Sequence, residues 1–147
     1  NGLSELFLLS AARQILISQK VIPALKSGKI VISDRFYFSS LAYQGHARGI
    51  DESVILNLSE IASLEIYPDI AFLIDISTSQ SFNRKINDKK DRFERESSDF
   101  HNSVRNGYLS IAKSDKNLWR IIEGNKNISE VHEEIILLLN EKLSLSS

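Results

Sequence analysis

The sequence feature that most restricts the fold is a set of uninterrupted apolar, β-branched runs. Two of them read KIVIS at Lys29–Ser33 and DIAFLIDIS at Asp69–Ser77. An apolar run without polar alternation is typical of a strand that is covered on both faces. LWRIIEG at Leu118–Gly124 is a weaker third run. The connections are too long for hairpins and predict helices, so the fold class is predicted as α/β, a parallel sheet with helices on both faces.

The first two predicted helices are bounded by residues that start or stop helices. Leu3–Lys26 is apolar with helical recurrence and is expected to be kinked or interrupted at Pro23. It stops before a glycine, Gly28, that suits a left-handed cap. Asp51 is a good N-cap for a second helix over Glu52–Ile66, which ends before a proline.

Two further helices are predicted in the second half of the chain. One covers Asp99–Lys113. The other begins at a pattern resembling a capping box, Asn127 with Glu130, and continues to Lys142. No internal repeat or low-complexity segment interrupts this order.

Composition sets the class of protein. The 147 residues, 42% hydrophobic and 25% charged, fit one globular domain over residues 1–147. No apolar run approaches the roughly 20 residues of a membrane span. A net charge of −1 argues against nucleic acid as a partner. The absence of cysteine excludes disulfides and thiolate metal sites and suits a cytoplasmic location.

An acid and a base follow the KIVIS run directly, as Asp34 and Arg35. In parallel sheets, ligands bind outside the carboxyl ends of the strands. An Asp there can hold Mg²⁺ or its bound water, and an adjacent Arg offers a planar fork for phosphate oxygens. From the dipeptide alone, a strand-end salt bridge is the favoured interpretation. Asp75, which lies within its run, is interpreted as structural.

A small polar and aromatic surface follows the acid and base. Ser39, Ser40, Tyr43 and Gln44 supply hydroxyls, a ring and an amide within one or two helical turns. That set suits a flat ligand with polar edges, such as a nucleobase. The alternative is an ordinary amphipathic helix with Tyr43 half-buried.

One face of the first predicted helix carries a third group of candidates. Glu5, Leu9 and Arg13 are four residues apart and share this face, and small residues beside Arg13 leave room for a ligand. A surface arginine on a core helix is the alternative, and it would be favoured if this face stood alone.

A dense charged run, RKINDKKDRFERE, extends from Arg84 to Glu96. Such a run is usually a solvated face. It can also be a lid, assigned here to residues 84–98, that brings arginines to a transferring phosphoryl group. Arg92 is the best candidate for that role. The histidines are far apart and lack metal-ligand spacing.

Taken together, these motifs resemble the thymidylate kinase family over essentially the whole chain. The specific block is VISDRFYFSSLAYQG with ARGID, and the other matching segments are LFLLSAAR, VIPAL, PDIAFLIDIS, DRFE and VR.GY. The basic lid resembles the bacterial subclass that carries its catalytic arginines in the lid. The resemblance implies the fold of the P-loop nucleoside monophosphate kinases, transfer of the γ-phosphoryl of ATP to dTMP, and Mg²⁺ as cofactor.

The resemblance also implies roles at the acceptor side. Asp34 would lie near Mg²⁺, and Arg35 would clamp the phosphate of dTMP and act in catalysis. Arg13 would donate to a thymine carbonyl. Tyr43 would lie against the sugar. The remaining base-pocket residues are Leu9, Ser39, Ser40 and Gln44.

At the donor side, the resemblance implies that Arg84 lies against the adenine of ATP. Arg92 would stabilise the transferred phosphoryl group. Members of the family are homodimers that pack through helices including the counterpart of the one that begins at Leu3.

Two departures from the family pattern stand out. Leu9 occupies a position where the family usually has a phenylalanine that stacks on thymine. No G-x-x-x-x-G-K-[ST] motif occurs in the sequence. The expectation is that the chain is the C-terminal portion of a longer kinase and lacks the first strand and the P-loop. On that basis the 147 residues alone are expected to be inactive, because that loop cradles the donor phosphates.

Two other functions remain open on the sequence. One is a nucleotide-binding or dimerisation module that has lost its P-loop and its activity. The other is a related nucleoside or nucleotide kinase with a different acceptor. The residues upstream of Asn1 would separate the enzyme from the inactive module, and a comparison of acceptors would separate the kinases.

Overall fold

The chain, described by a computed structural model over residues 1–80 and 96–144, forms two compact units. They are Asn1–Tyr67 and Pro68–Ser147. The first unit is helical, and the second contains the sheet. The prediction of one domain over residues 1–147 stays a prediction. The lid prediction falls mostly on residues outside the described ranges.

A long helical stretch opens the first unit. It comprises α1 (Gly2–Leu16), a π-helical turn π1 (Ile17–Val21) and α2 (Ile22–Lys26). Pro23 lies in the first turn of α2, directly after the π-helical turn. Gly28 ends the stretch with a φ of +75°, as predicted for a left-handed cap.

Three further helical elements complete the first unit. They are α3 (Phe38–Ser40), a π-helix π2 (Leu41–Ala47) and α4 (Glu52–Ser63). Asp51 caps α4 as predicted, since its carboxylate accepts from the amide of Ser53. The helix ends three residues earlier than expected because Leu64 adopts a left-handed conformation, with a φ of +50°.

The core of the first unit lies where α1 packs against α4 and π2. Leu6 and Ile17 of the first helical stretch and Ile55 of α4 are at most 1% exposed. Gly45 of π2 lies close to Ile55, since a Cβ there would be 3.1 Å from the Ile55 Cδ1. The packing therefore brings α1, α4 and π2 together around these side chains.

The prediction of a strand at Lys29–Ser33 is wrong in this structure. The segment has no regular secondary structure and pairs with no strand of the described ranges, and Ile30 and Ile32 are 75% and 91% exposed. β-Propensity reflects the fit of side chains against neighbouring strands, so an apolar run needs a ladder partner to become a strand. The described sheet has two strands instead of the three expected.

The second unit confirms the parallel α/β pattern. Its strands β1 (Ala71–Asp75) and β2 (Trp119–Glu123) pair in parallel, with Ala71 opposite Trp119 and Asp75 opposite Glu123. Helix α5 (Ser98–Ser114) packs on both strands, which is the position of a crossover helix.

The last helix is α6 (Ile128–Ser144), and it packs on β2. Its predicted capping box is confirmed: the Glu130 amide donates to Asn127 Oδ1 and the Asn127 amide donates to Glu130 Oε2, each at 2.9 Å. Among the helices of residues 1–80 and 96–144, none has both the length and the apolarity that a membrane crossing requires.

Candidate functional site

Arg13 on α1 and Ser40 at the end of α3 meet in the first unit. A guanidinium nitrogen, Nη2, donates to Ser40 Oγ at 3.1 Å. The second terminal nitrogen, Nη1, is buried and has no hydrogen-bond partner among the described residues. Burial lowers the pKa of Arg13 by desolvating its charge. An unfilled buried donor on a cation is a point where a ligand acceptor would be bound favourably.

An aromatic ring lies beside the same guanidinium. The Arg13 Cζ is 5.9 Å from the ring centroid of Phe36, at the outer limit of a cation–π contact. Phe36 packs edge-on to Tyr37 at 5.2 Å, which is itself 4.2 Å from Phe38. Sequence reasoning gave Phe36 no role, although its place two residues after Asp34 in the motif was the available signal.

Two of the predicted site residues, Tyr43 and Gln44, lie on π2. The wide turn of a π-helix is rare and often occurs at functional sites. Gln44 is 1% exposed, and its amide nitrogen Nε2 donates to Glu5 Oε2 at 3.3 Å. Its carbonyl oxygen Oε1 is buried and has no partner among the described residues. The site therefore contains an unfilled acceptor as well as an unfilled donor.

Glu5 on α1 also forms an ion pair with Arg48. The same Oε2 atom pairs with Arg48 Nε at 3.2 Å, just beyond the end of π2. Gly2 leaves space for the Arg48 side chain, because a Cβ at Gly2 would be 3.0 Å from the Arg48 Cδ. Sequence reasoning placed Glu5 on the Arg13 face without a role and missed Arg48. Nothing in the sequence pairs two residues 43 positions apart.

Asp34 and Arg35 are exposed, and neither side chain is turned into the core. Arg35 has a φ of +70°, in the left-handed region that disfavours a residue with a Cβ. Its carbonyl accepts from Ser33 Oγ at 2.7 Å, which helps to hold this backbone shape. The Arg35 guanidinium carbon is 5.4 Å from the Tyr43 ring centroid, so the strained backbone directs the cation toward π2.

The other predicted residues are less informative. Leu9 is 43% exposed on the turn before Arg13, and Ser39 is half-buried beside Ser40. The predicted lid residues Arg84 and Arg92 lie outside the described residues.

The described residues contain no cluster of three or more side chains that could hold a metal by themselves. Asp34 alone fits Mg²⁺ as one ligand, because this ion is usually bound through one or two carboxylates together with substrate phosphates. The exposed position of Asp34 leaves its carboxylate accessible for that purpose.

The arrangement combines a buried donor, a buried acceptor and an exposed cation next to a ring. A ligand that is flat and polar at one end and anionic at the other could contact all four groups: the donor, the acceptor, the cation and the ring. Nucleoside monophosphates have that form.

Comparisons with known proteins define the family. The family model for thymidylate kinase matches residues 1–135. Thymidylate kinase of Fervidobacterium nodosum is 44% identical over 140 residues, which are 95% of this chain and 71% of that protein. That of Thermoanaerobacter sp. strain X514 is 38% identical over 95% of this chain and 69% of its own length.

A solved structure agrees in fold. The crystal structure of thymidylate kinase from Ehrlichia chaffeensis has a TM-score of 0.75 and 32% identity, covering 95% of this chain and 67% of that one. The class is thus that of the P-loop nucleoside monophosphate kinase fold. The chain belongs to the thymidylate kinase family.

Proposed function

We propose that the protein is a thymidylate kinase that transfers the γ-phosphoryl group of ATP to dTMP to give dTDP, a step toward dTTP. The observation that carries the proposal is the pair of unfilled buried atoms, the Arg13 Nη1 donor and the Gln44 Oε1 acceptor. Thymine presents the complementary pair along one edge, the O4 acceptor and the N3–H donor. Two matched hydrogen bonds to buried groups would give strong selection for this base.

The remaining acceptor-side residues fit the same ligand. Tyr43 lies beside the Arg35 guanidinium, so a sugar against the ring would bring its phosphate toward that cation. A guanidinium can bind two phosphate oxygens at once. Ser39 and Ser40 line the base end, and Leu9 supplies apolar contact to the base.

The chemistry needs little from the protein beyond position and charge. The phosphate oxygen of dTMP that attacks is already ionised near neutral pH, so no strong general base is required. Mg²⁺, with Asp34 as one ligand, would neutralise charge on the bound phosphates. Arg35 would hold the acceptor phosphate, and Arg92 and Arg84 would act on the transferred group and on the adenine.

The proposal extends to assembly and location. Helix α1 carries apolar side chains that are more than half exposed, and these support a homodimer formed through this helix. They are Phe7, Leu8, Ile15 and Leu16. A cytoplasmic location is proposed from the absence of cysteine.

One observation favours a second candidate, a nucleotide-binding or dimerisation module without activity. The 147 residues contain no G-x-x-x-x-G-K-[ST] motif. We propose that these residues alone bind dTMP without transferring a phosphoryl group, because the positioning of donor phosphates supplies much of the catalysis in such enzymes.

A coupled assay of ADP formation on the full-length protein tests the enzyme. dTMP is expected to be the best acceptor among dTMP, dUMP, dCMP and thymidine. Equal turnover of several acceptors would contradict the base selection, and binding of dTMP without any turnover would favour the module.

A further inference from the structure

The strongest unassigned feature is the contact between Glu5 and Gln44. We infer that Glu5 is a positioning residue that fixes the orientation of the Gln44 amide and thereby sets which base the pocket accepts. The inference rests on the proposed function and names the origin of its base specificity. Three observations support it: the chemistry of the carboxylate, the anchoring of Glu5, and the burial of the amide.

The carboxylate decides which end of the amide faces it. A carboxylate only accepts hydrogen bonds, whereas a glutamine amide has a donor end and an acceptor end of nearly equal size. The partner of Glu5 Oε2, at 3.3 Å, must therefore be the nitrogen of Gln44. With Nε2 engaged, the oxygen Oε1 is the end that remains for a ligand. A neutral partner at position 5 would permit both orientations.

Glu5 is itself held in place. Its Oε2 pairs with Arg48 Nε at 3.2 Å, and the Glu5 and Arg48 side chains are 11% and 23% exposed. Arg48 lies against Gly2, so the pair joins the start of α1 to the residue that follows π2. The attraction between the two charges favours a position of the carboxylate beside Gln44, as a positioning role requires.

The Gln44 carbonyl oxygen cannot replace a ligand hydrogen bond with one from water, because the side chain is buried. Gln44 is 1% exposed, and its oxygen has no partner among the described residues. A buried carbonyl without a partner costs free energy unless a ligand supplies a donor. Thymine and uracil supply N3–H, whereas cytosine presents a bare N3 acceptor at the same place. The orientation set by Glu5 thus favours thymine and uracil and disfavours cytosine.

Glu5→Gln is the central test, because it keeps the shape and removes the demand for a donor. The readout is the ratio of kcat/KM for dTMP to that for dCMP, with the ratio for dTMP to dUMP beside it. Loss of one oriented hydrogen bond is expected to lower the dTMP/dCMP ratio about tenfold. The dTMP/dUMP ratio should stay within about twofold, because it reports the methyl group, which Gln44 does not orient.

A double variant supplies the rescue. Glu5→Gln combined with Gln44→Glu exchanges donor and acceptor across the contact and leaves a carboxylate oxygen as the end presented to the base. We expect it to recover most of the dTMP/dCMP ratio that Glu5→Gln loses. Glu60→Gln, the same change at an exposed position of α4, is the matched control and should alter neither ratio.

The outcomes separate the inference from the function on which it rests. All variants are made in the full-length protein, and a full-length wild type that does not phosphorylate dTMP overturns the proposed function. A wild-type preference for dTMP that Glu5→Gln leaves unchanged overturns only the positioning role. Equal losses on all three nucleotides would assign Glu5 a purely structural role and equally overturn the inference.

Partial misfolding does not confuse this readout, because both substrates are measured on one preparation and their ratio is independent of the folded fraction. If Glu5→Gln yields no folded protein, Glu5→Asp decides. It keeps the negative charge but withdraws the carboxylate from Gln44, and from Arg48 with it. A smaller drop in the dTMP/dCMP ratio is expected, and an unchanged ratio would reject the inference.

Discussion

Arg105 of α5 donates two parallel hydrogen bonds to the carboxylate of Asp75, the last residue of β1. The Nε–Oδ1 distance is 2.7 Å and the Nη2–Oδ2 distance is 2.8 Å. The hydrogen bond to Asp75 raises the pKa of Arg105. This pair fastens the crossover helix to the carboxyl edge of the sheet and gives Asp75 the structural contact expected from its place within the strand.

Removal of this fork should weaken the second unit. Arg105→Gln is expected to lower the free energy of unfolding by about 1 kcal/mol, a modest value because both side chains are partly exposed. Arg105→Lys should recover only part of the loss, since an ammonium cannot make both parallel bonds. Chemical denaturation measures the effect. Lys116→Gln, an exposed change in the same unit, serves as the control, and equal losses in both variants would refute the role of the fork.

The cap of α4 should give a pH-dependent contribution to stability. Hydrogen bonds from Ser53 lower the pKa of Asp51. Because the folded pKa lies below the unfolded value of about 3.9, the stabilisation is full above that pH and is lost as pH falls through the lower folded value. Asp51→Asn retains a good cap but does not titrate.

The thermal midpoints of the wild type and Asp51→Asn, compared between pH 7 and pH 2, test this point. The difference between the two proteins should change in favour of the variant only in the acid range. Asp51→Ala should lower the midpoint at pH 7 as well, because it removes the cap. A pH-independent difference between wild type and Asp51→Asn would contradict the assignment.

Arg13 should contribute to recognition of the base through its planar group. Arg13→Lys is expected to lower kcat/KM for dTMP by tenfold or more, mainly through KM, because an ammonium cannot reach both Ser40 and a ligand carbonyl. Steady-state kinetics of the full-length protein measure it. Arg120→Lys, in the second unit, should leave the dTMP kinetics unchanged. A normal KM in Arg13→Lys would exclude the proposed contact.

Substitutions of Arg35 should separate its effect on activity from its effect on stability. Arg35→Gly and Arg35→Ala both remove the phosphate-binding cation and should lower kcat/KM by about a hundredfold or more. They should differ in stability, since glycine accepts a φ of +70° without strain. The glycine variant is expected to be about 1 kcal/mol more stable than the alanine variant. Equal stabilities would show that the left-handed backbone is not retained in solution.

Leu9 offers a gain-of-affinity test. Leu9→Phe supplies an aromatic ring at this position, and stacking on thymine should lower the dissociation constant for dTMP about three- to tenfold. Titration calorimetry measures it. Leu56→Phe on α4, at a similarly exposed leucine, is the control. If Leu9→Phe bound dTMP no better than the wild type, Phe36 would be the better candidate for the stacking ring.

Local signals predicted much of the fold. The caps at Asp51 and Asn127, the stop at Gly28 and the parallel strands at Ala71–Asp75 and Trp119–Glu123 follow from residue types and spacing. Each depends on contacts within a few residues or on a strong apolar run, which a sequence displays directly.

The errors share a physical cause. Lys29–Ser33 has strand composition, but pairing depends on a neighbour that composition does not reveal. The helix that was expected to reach Ile66 ends at Ser63 because two successive non-glycine residues adopt positive φ, which propensity does not anticipate. Contacts with the rest of the fold decide whether Lys29–Ser33 forms a strand and where α4 ends.

The structure brings together some of the residues that the sequence assigns to the candidate site. Arg13 and Ser40 do meet, and the Arg35 cation lies by Tyr43. The Glu5–Arg48 pair was out of reach, because it joins residues distant in sequence whose meeting depends on how α1 packs against π2.

The π-helix over Leu41–Ala47 changes how related sequences should be aligned in this region. A π-turn accommodates one residue more than an α-turn, so a one-residue deletion can be absorbed by conversion to a regular helix. Such a deletion would preserve the length of the helix while turning the side chains that follow it to a different face. Homologues with a gap here would then present a different residue where Gln44 stands, and their nucleobase preference should be judged from that gap rather than from percentage identity.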